Sequence, residues 1–169
     1  ECWVGLHWGF LWPALFGFCL FVGNCLLSAA LGFRLTGSRL GMVVAAVLAT
    51  QVRIHNAGQP DYWLAWFPVH QELLMNGLML GALLCFDVWF ERAERKYLGW
   101  SWVLFVAGCL AKEHVFIFPA FAAAIALFRR GNAKVTVREG LLQAGGMLLL
   151  VFAFFAYRAA IIEHLLKSA

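Results

Sequence analysis

The chain has 169 residues, of which 63% are hydrophobic, 16% aromatic and only 13% charged, against roughly half apolar and a quarter charged in soluble domains. This composition excludes an ordinary soluble domain and predicts an all-α, polytopic transmembrane helical bundle. Helices satisfy their own backbone groups in lipid, and nothing in the chain shows the alternating apolar-out period of a membrane barrel. The net charge of +4 comes from basic residues in the connections between spans, so no nucleic-acid partner is expected.

The chain opens Glu1-Cys2-Trp3, without an initiator Met or a basic signal-peptide region, and is expected to be a fragment whose residues 1–169 form a single transmembrane helical domain. The first span is predicted from Gly9 to Phe33, with Trp8 and Trp12 at one end and Arg34 at the other. Asn24 and Ser28 lie four apart on one face of it and should bond to a neighbouring helix or to backbone. Leu35 to Arg39, LTGSR, reads as a tight basic turn. A second, shorter apolar run follows from Leu40 to Val52.

Arg53 to Glu72 is the longest polar connection. Gly58, Pro60 and Pro68 argue against one continuous helix there, while Tyr62, Trp63, Trp66 and Phe67 are aromatic types that favour a membrane interface. This loop is expected to lie on the membrane. The third span, Gln71 to Phe90, carries Glu72 and Asn76 on one face at its start, Gly77 and Gly81 at a spacing that permits close helix approach, and Asp87 near its other end. Glu91 to Tyr97, ERAERKY, is a charged turn.

From Trp100 to Arg130, two apolar runs of about 14 residues flank Lys112, Glu113 and His114, and at 1.5 Å per residue each is too short for a hydrocarbon core of about 30 Å. One continuous helix would leave three ionisable groups near the bilayer centre, which costs several kcal/mol unless they are paired or face water. The segment is therefore read as a hairpin of two short helices that turns at Lys112, with Pro119 near the start of the second. A polar connection, GNAKVTVREG, leads to the last span, Leu141 to Tyr157, and AAIIEHLLKSA is expected to close the chain as a short interfacial amphipathic helix. The total is about five to six spans, including half-length helices.

Lys and Arg are unevenly shared between alternate connections. Arg34, Arg39, Arg92, Arg95, Lys96, Arg129, Arg130, Lys134 and Arg138 fall on one side, against Arg53, Lys112, Arg158 and Lys167 on the other. The richer side is assigned to the cytoplasm. All five histidines, His7, His55, His70, His114 and His164, then fall on or near the far side with Glu1, Asp61, Glu72, Glu113 and Glu163.

Lys112 and Glu113 point about 100° apart on a helix and need not pair with each other. An ammonium in a low-dielectric cavity is a strong point charge for a phosphate, and Glu113 beside it is placed to orient the lysine or to accept a hydroxyl proton. A packing role remains open, in which Lys112 and Glu113 pair with Glu72, Asp61 or Arg53 and only fix helix positions. Glu72 and Asp61 are further candidates for a general base, since a carboxylate desolvated near the interface has its pKa raised. A metal at His70 and His114 lacks any HxxxH or HExxH spacing, so no metal ligand is assigned. Cys19, Cys25, Cys85 and Cys109 lie in apolar runs without a CxxC and read as small core residues. No P-loop, GxSxG or Rossmann fingerprint occurs.

The run GCLAKEHVFIFPAFAAAIALFRR resembles the "(S)KE…lP" hairpin of GT-C glycosyltransferases, in particular their protein mannosyltransferase-like group. WLAWFPVHQELLMNGLMLGALL is similar to that group's "aW…(R)xDLL" segment, with Trp66 at the Trp and Glu72 where an Asp is common. The resemblance spans about Asn24 to Arg130. It implies a fragment of a larger GT-C type module, a polyprenyl-phosphate-linked sugar as donor substrate with no other cofactor, a protein or glycolipid acceptor, and reaction on the extracytoplasmic face of a bacterial inner membrane or of the endoplasmic reticulum. It also implies Lys112 at the donor phosphate, Glu113 beside it and Glu72 at the cavity rim. Together with the reading of the residues themselves, this makes Glu72, Glu113 and Asp61 the candidate catalytic groups, and Lys112, His114, Arg53 and His70 the candidate substrate-binding groups. The sequence departs from the family in lacking the Arg usual before the loop acid, and the family's own catalytic acids belong to a loop that would precede Glu1. Two other classes remain open from sequence: a transporter or proton-pathway module, and a non-catalytic membrane assembly subunit.

Overall fold

The computed structural model describes residues 11–54, 67–111, 117–129, 131 and 133–168. Among these, the chain forms six α-helices and no strand: α1 (Leu11–Thr36), α2 (Arg39–Ile54), α3 (Phe67–Arg92), α4 (Arg95–Ala111), α5 (Phe118–Phe128) and α6 (Val137–Ser168). Three of them, α1, α3 and α6, are long and apolar enough to cross a membrane. The fold is a membrane-type helical bundle.

Helix α1 ends where the sequence places its turn. Gly37 takes φ +66° and donates its N–H to Phe33 O at 2.7 Å, a left-handed C-terminal cap that glycine adopts without a Cβ clash. The Ser38 hydroxyl then accepts the Leu40 N–H at 3.1 Å, which satisfies one of the free donors that open α2. Helix α2 packs along α1 and leaves Leu40, Val43, Val44, Val47 and Leu48 exposed.

The bundle is built around α3, half of whose span is buried, against 11% for α1 and 22% for α6. Its Met79, Ala82, Leu83, Phe86 and Phe90 form one cluster with Phe105 and Cys109 of α4, Phe118, Ala122 and Ile125 of α5, and Met147 and Val151 of α6. Gly77 and Gly81 do not serve one interface. A Cβ on Gly77 would stand 3.1 Å from Asn24 Oδ1 of α1, and one on Gly81 would stand 3.3 Å from Leu104 of α4.

The polar connection after α2 is shorter than the sequence implies, because Arg53 and Ile54 still belong to α2 and Phe67 to Glu72 already belong to α3. Pro68 sits in the first turn of α3, where a missing N–H costs nothing. The remaining 55–66, with the expected interfacial aromatics, lies outside the described residues.

Trp100 to Arg130 is two short helices and not one, as expected, while the turn itself at Lys112 lies outside the described residues. The rings of Phe105 and Phe118 stack with centroids 4.8 Å apart, whereas thirteen residues of one straight helix would separate them by about 20 Å along the axis. The chain therefore turns between α4 and α5 instead of continuing one helix, and α5 packs against α6 and α3 rather than along α4. Pro119 opens α5 at its first turn, as expected.

Helix α6 departs from expectation at both ends. It starts four residues early, because Thr136 and Glu139 cap each other's backbone. It also runs unbroken to Ser168 instead of yielding to a separate closing helix. No Gly or Pro follows Gly146 in this stretch, and Ala, Leu and Glu sustain a helix. Gly140 lets α6 approach α3 and α5 closely, since a Cβ there would come within 2.4 Å of Phe90 and 2.8 Å of Ala126.

Candidate functional site

The sequence-derived candidates divide sharply. Lys112, Glu113, His114 and Asp61 lie outside the described residues, and Arg53 is described only as part of the last turn of α2. His70 and Glu72 occupy the first turns of α3. Two residues apart on a helix, they project about 200° from each other, so the fold does not bring them to one face. His70 is 3% exposed and meets the edge of Phe16 of α1 with ring centroids 5.7 Å apart. Glu72 is half-buried. Here α1 meets the start of α3.

The opposite end carries an ionic network that sequence reasoning did not single out. Asp87, fully buried in α3, accepts Arg34 Nε at 2.7 Å on Oδ2, Arg129 Nε at 2.7 Å on Oδ1 and Arg129 Nη2 at 3.0 Å on Oδ2. Arg34 comes from the last turn of α1, and its other arm reaches Glu91, one turn beyond Asp87. Arg129 follows directly on α5, where its backbone N–H caps Ile125 O at 2.9 Å, and its guanidinium also donates to Arg34 O at 2.8 Å. The last carbonyls of a helix lack intrahelical donors, so this contact closes the end of α1 as well.

Chemically, the network is a clamp. Both oxygens of Asp87 accept from guanidinium donors, and with no exposed surface the carboxylate is closed off from a substrate. A carboxylate desolvated to this degree would be strongly unfavourable alone, and two fork-shaped cations with direct hydrogen bonds offset that cost. Three helices are thereby pinned at one point. The sequence signal was an Asp inside an apolar span together with basic residues ending α1 and α5, but which of nine cations it would meet was not readable.

Other polar groups in the bundle act locally. Asn24 Nδ2 donates to Leu73 O at 2.8 Å, the bond to a neighbouring helix expected of it, while its buried Oδ1 has no partner. Ser101 bonds Ala82 O at 2.9 Å, and Trp102 bonds Gln143 at 3.0 Å, tying α4 to α3 and to α6. At the start of α4, Lys96 pairs with Glu94 at 2.6 Å and holds the Glu94 carboxyl below its usual range, while Glu94 raises the Lys96 ammonium. Among the described residues no group of three or more His, Cys, Asp and Glu side chains is placed to hold a metal ion.

Comparison with protein families, curated proteins and solved structures finds no match. Function is read from the chain's own residues.

Proposed function

We propose that this chain is a multi-pass membrane glycosyltransferase module that uses a polyprenyl-phosphate-linked sugar, with the reacting groups at the end of the bundle opposite the Asp87 clamp. The observation that carries the proposal is that the chain breaks after α4 and that α5 runs back to the clamp end, where Arg129 meets Asp87. Helix α5 has 11 residues and rises only about 16 Å from its basic end at Arg129, roughly half of a 30 Å hydrocarbon core. Lys112, Glu113 and His114 belong to the connection between these two helices. A connection reached by so short a helix supports a polar group at membrane depth, and ionisable groups kept at that depth serve function by default.

In this reading an acceptor hydroxyl, from a protein or a glycolipid, attacks the anomeric carbon while polyprenyl phosphate leaves. Lys112 stabilises the charge that builds on the departing phosphate. Glu113, Glu72 and Asp61 are the candidates to take the hydroxyl proton, and Arg53, His70 and His114 are candidates to position the donor. The cytoplasm lies at the arginine-rich end and the active face is extracytoplasmic, following the distribution of Lys and Arg.

A proton pathway along α3 has less support. Between His70 and Asp87 the buried positions of α3 are Leu73, Met75, Met79, Ala82, Leu83 and Phe86, and none of these relays a proton. The assembly-subunit reading is favoured by the fully satisfied Asp87 clamp, whose charges only hold helices together.

The test is Lys112→Met, which keeps the stem and removes the ammonium. Loss of a charge-assisted phosphate contact worth about 2 to 4 kcal/mol lowers polyprenyl-phosphate affinity by about thirty- to nearly a thousand-fold, with thermal stability retained. Lys112→Arg keeps part of the binding. If Lys112 only pairs helices, Lys112→Met destabilises the bundle, and adding Glu113→Gln or Glu72→Gln restores it. Unchanged lipid-phosphate binding in a stable Lys112→Met protein overturns the assignment.

A further inference from the structure

At the arginine-rich end, a cleft of about 560 Å³ opens between the end of α3, the start of α4 and the connection into α6. Two indoles, Trp89 and Trp102, form part of its wall, and Arg95 and Lys134 stand at it from different segments of the chain, with Glu139 beside them. The nearby carboxylates are already engaged. Glu139 accepts from the Thr136 N–H at 3.1 Å and from its hydroxyl at 2.9 Å, and Glu94 is paired with Lys96. Among the described residues, neither Arg95 nor Lys134 has a carboxylate within ion-pair distance. The N-termini of α4 and α6 both meet the cleft, and each adds the positive end of a helix dipole.

Two uncommitted cations and one carboxylate leave the cleft with a net charge of about +1 before the dipoles are added, which suits a monoanion better than a dianion. A phosphodiester is the monoanion found at membrane interfaces. Indoles favour headgroup depth, and basic pockets between membrane helices on the cytoplasmic side suit anionic headgroups. Two and three residues after Glu139 in α6, Leu141 and Leu142 are exposed and offer apolar surface for acyl chains. From this charge complementarity we propose that the cleft binds the phosphodiester headgroup of an anionic phospholipid, with Arg95 and Lys134 holding the phosphate. This site is separate from the one at Lys112 and stands whether or not the chain transfers a sugar.

The experiment uses the full chain in mixed micelles and counts retained lipid by native mass spectrometry, with phosphatidylglycerol compared against phosphatidylcholine. Phosphatidylglycerol is expected to bind at least ten-fold more tightly. Arg95→Gln and Lys134→Gln each remove most of that preference, Arg95→Lys retains it, and Arg39→Gln, an equal charge change on α2, leaves it within two-fold. Both target residues are exposed, and thermal unfolding of each variant confirms that the fold survives. Equal retention of the two lipids, or an equal loss in Arg39→Gln, overturns the proposal. Displacement of phosphatidylglycerol by millimolar inorganic phosphate or glycerol phosphate overturns the lipid assignment in favour of a soluble phosphate ligand.

Discussion

The two ends of this bundle handle charge in opposite ways. At the end where α1, α3 and α5 finish, Asp87 has no exposed surface and is satisfied on both oxygens by Arg34 and Arg129. Away from the clamp, the start of α3 carries buried His70 against an aromatic edge and meets buried Asn24 at Leu73 O, and the KEH segment lies in the sequence between α4 and α5. The contrast teaches that a charge inside an apolar chain is not by itself a site. What marks Asp87 as a clamp is that it has no exposed surface and is held on both oxygens by cations of the bundle itself.

The most direct way to break the comparison is to ask which end faces which compartment. In a background with the native cysteines replaced, a cysteine at Lys134 or Arg95 is expected to be shielded from an impermeant thiol reagent added outside, and one at Gly58 to react. The effect is all-or-none, and the opposite labelling pattern would move the proposed chemistry to the cytoplasmic face.

Next in size is the clamp itself. Asp87→Leu strands two part-buried guanidinium groups and is expected to cost about 3 kcal/mol in detergent unfolding, while Glu91→Gln, at the exposed edge of the same network, costs at most about 1 kcal/mol. Adding Arg34→Met and Arg129→Met to Asp87→Leu should recover most of the loss. Equal effects of Asp87→Leu and Glu91→Gln would show that the clamp contributes no more than a surface pair.

The smallest effect lies in how two helices stop at the same end. Gly37 closes α1 at φ +66°, and Ala93 closes α3 at φ +60° with its N–H on Trp89 O at 2.7 Å. The same cap is thus made once by a residue that tolerates it and once by one that does not. Ala93→Gly is expected to stabilise the bundle by about 0.5 to 1 kcal/mol and Gly37→Ala to destabilise it by a similar amount, read in the same unfolding experiment. A loss of stability in Ala93→Gly would show that the left-handed turn carries no strain.

The helical bundle, the turn at LTGSR, the division of Trp100 to Arg130 into two short helices and the place of Pro119 were legible in the sequence, because each depends on local rules: run length against membrane thickness, the φ preference of Gly and the missing N–H of Pro. The early start of α6 was legible too, in the spacing of Thr136 and Glu139, but its surroundings read as a polar loop and hid the cap. Beyond that, sequence stopped at counts. It showed an Asp in a span and a bias of cations to one side. Only the tertiary structure decided that Arg34, 53 residues before Asp87, and Arg129, 42 residues after it, both spend their charge on that one carboxylate while Arg95 and Lys134 keep theirs at a cleft. Partner choice among nine like cations is set by which helix ends meet in space, and that depends on the packing of α3 against its neighbours and not on any local property of the residues themselves.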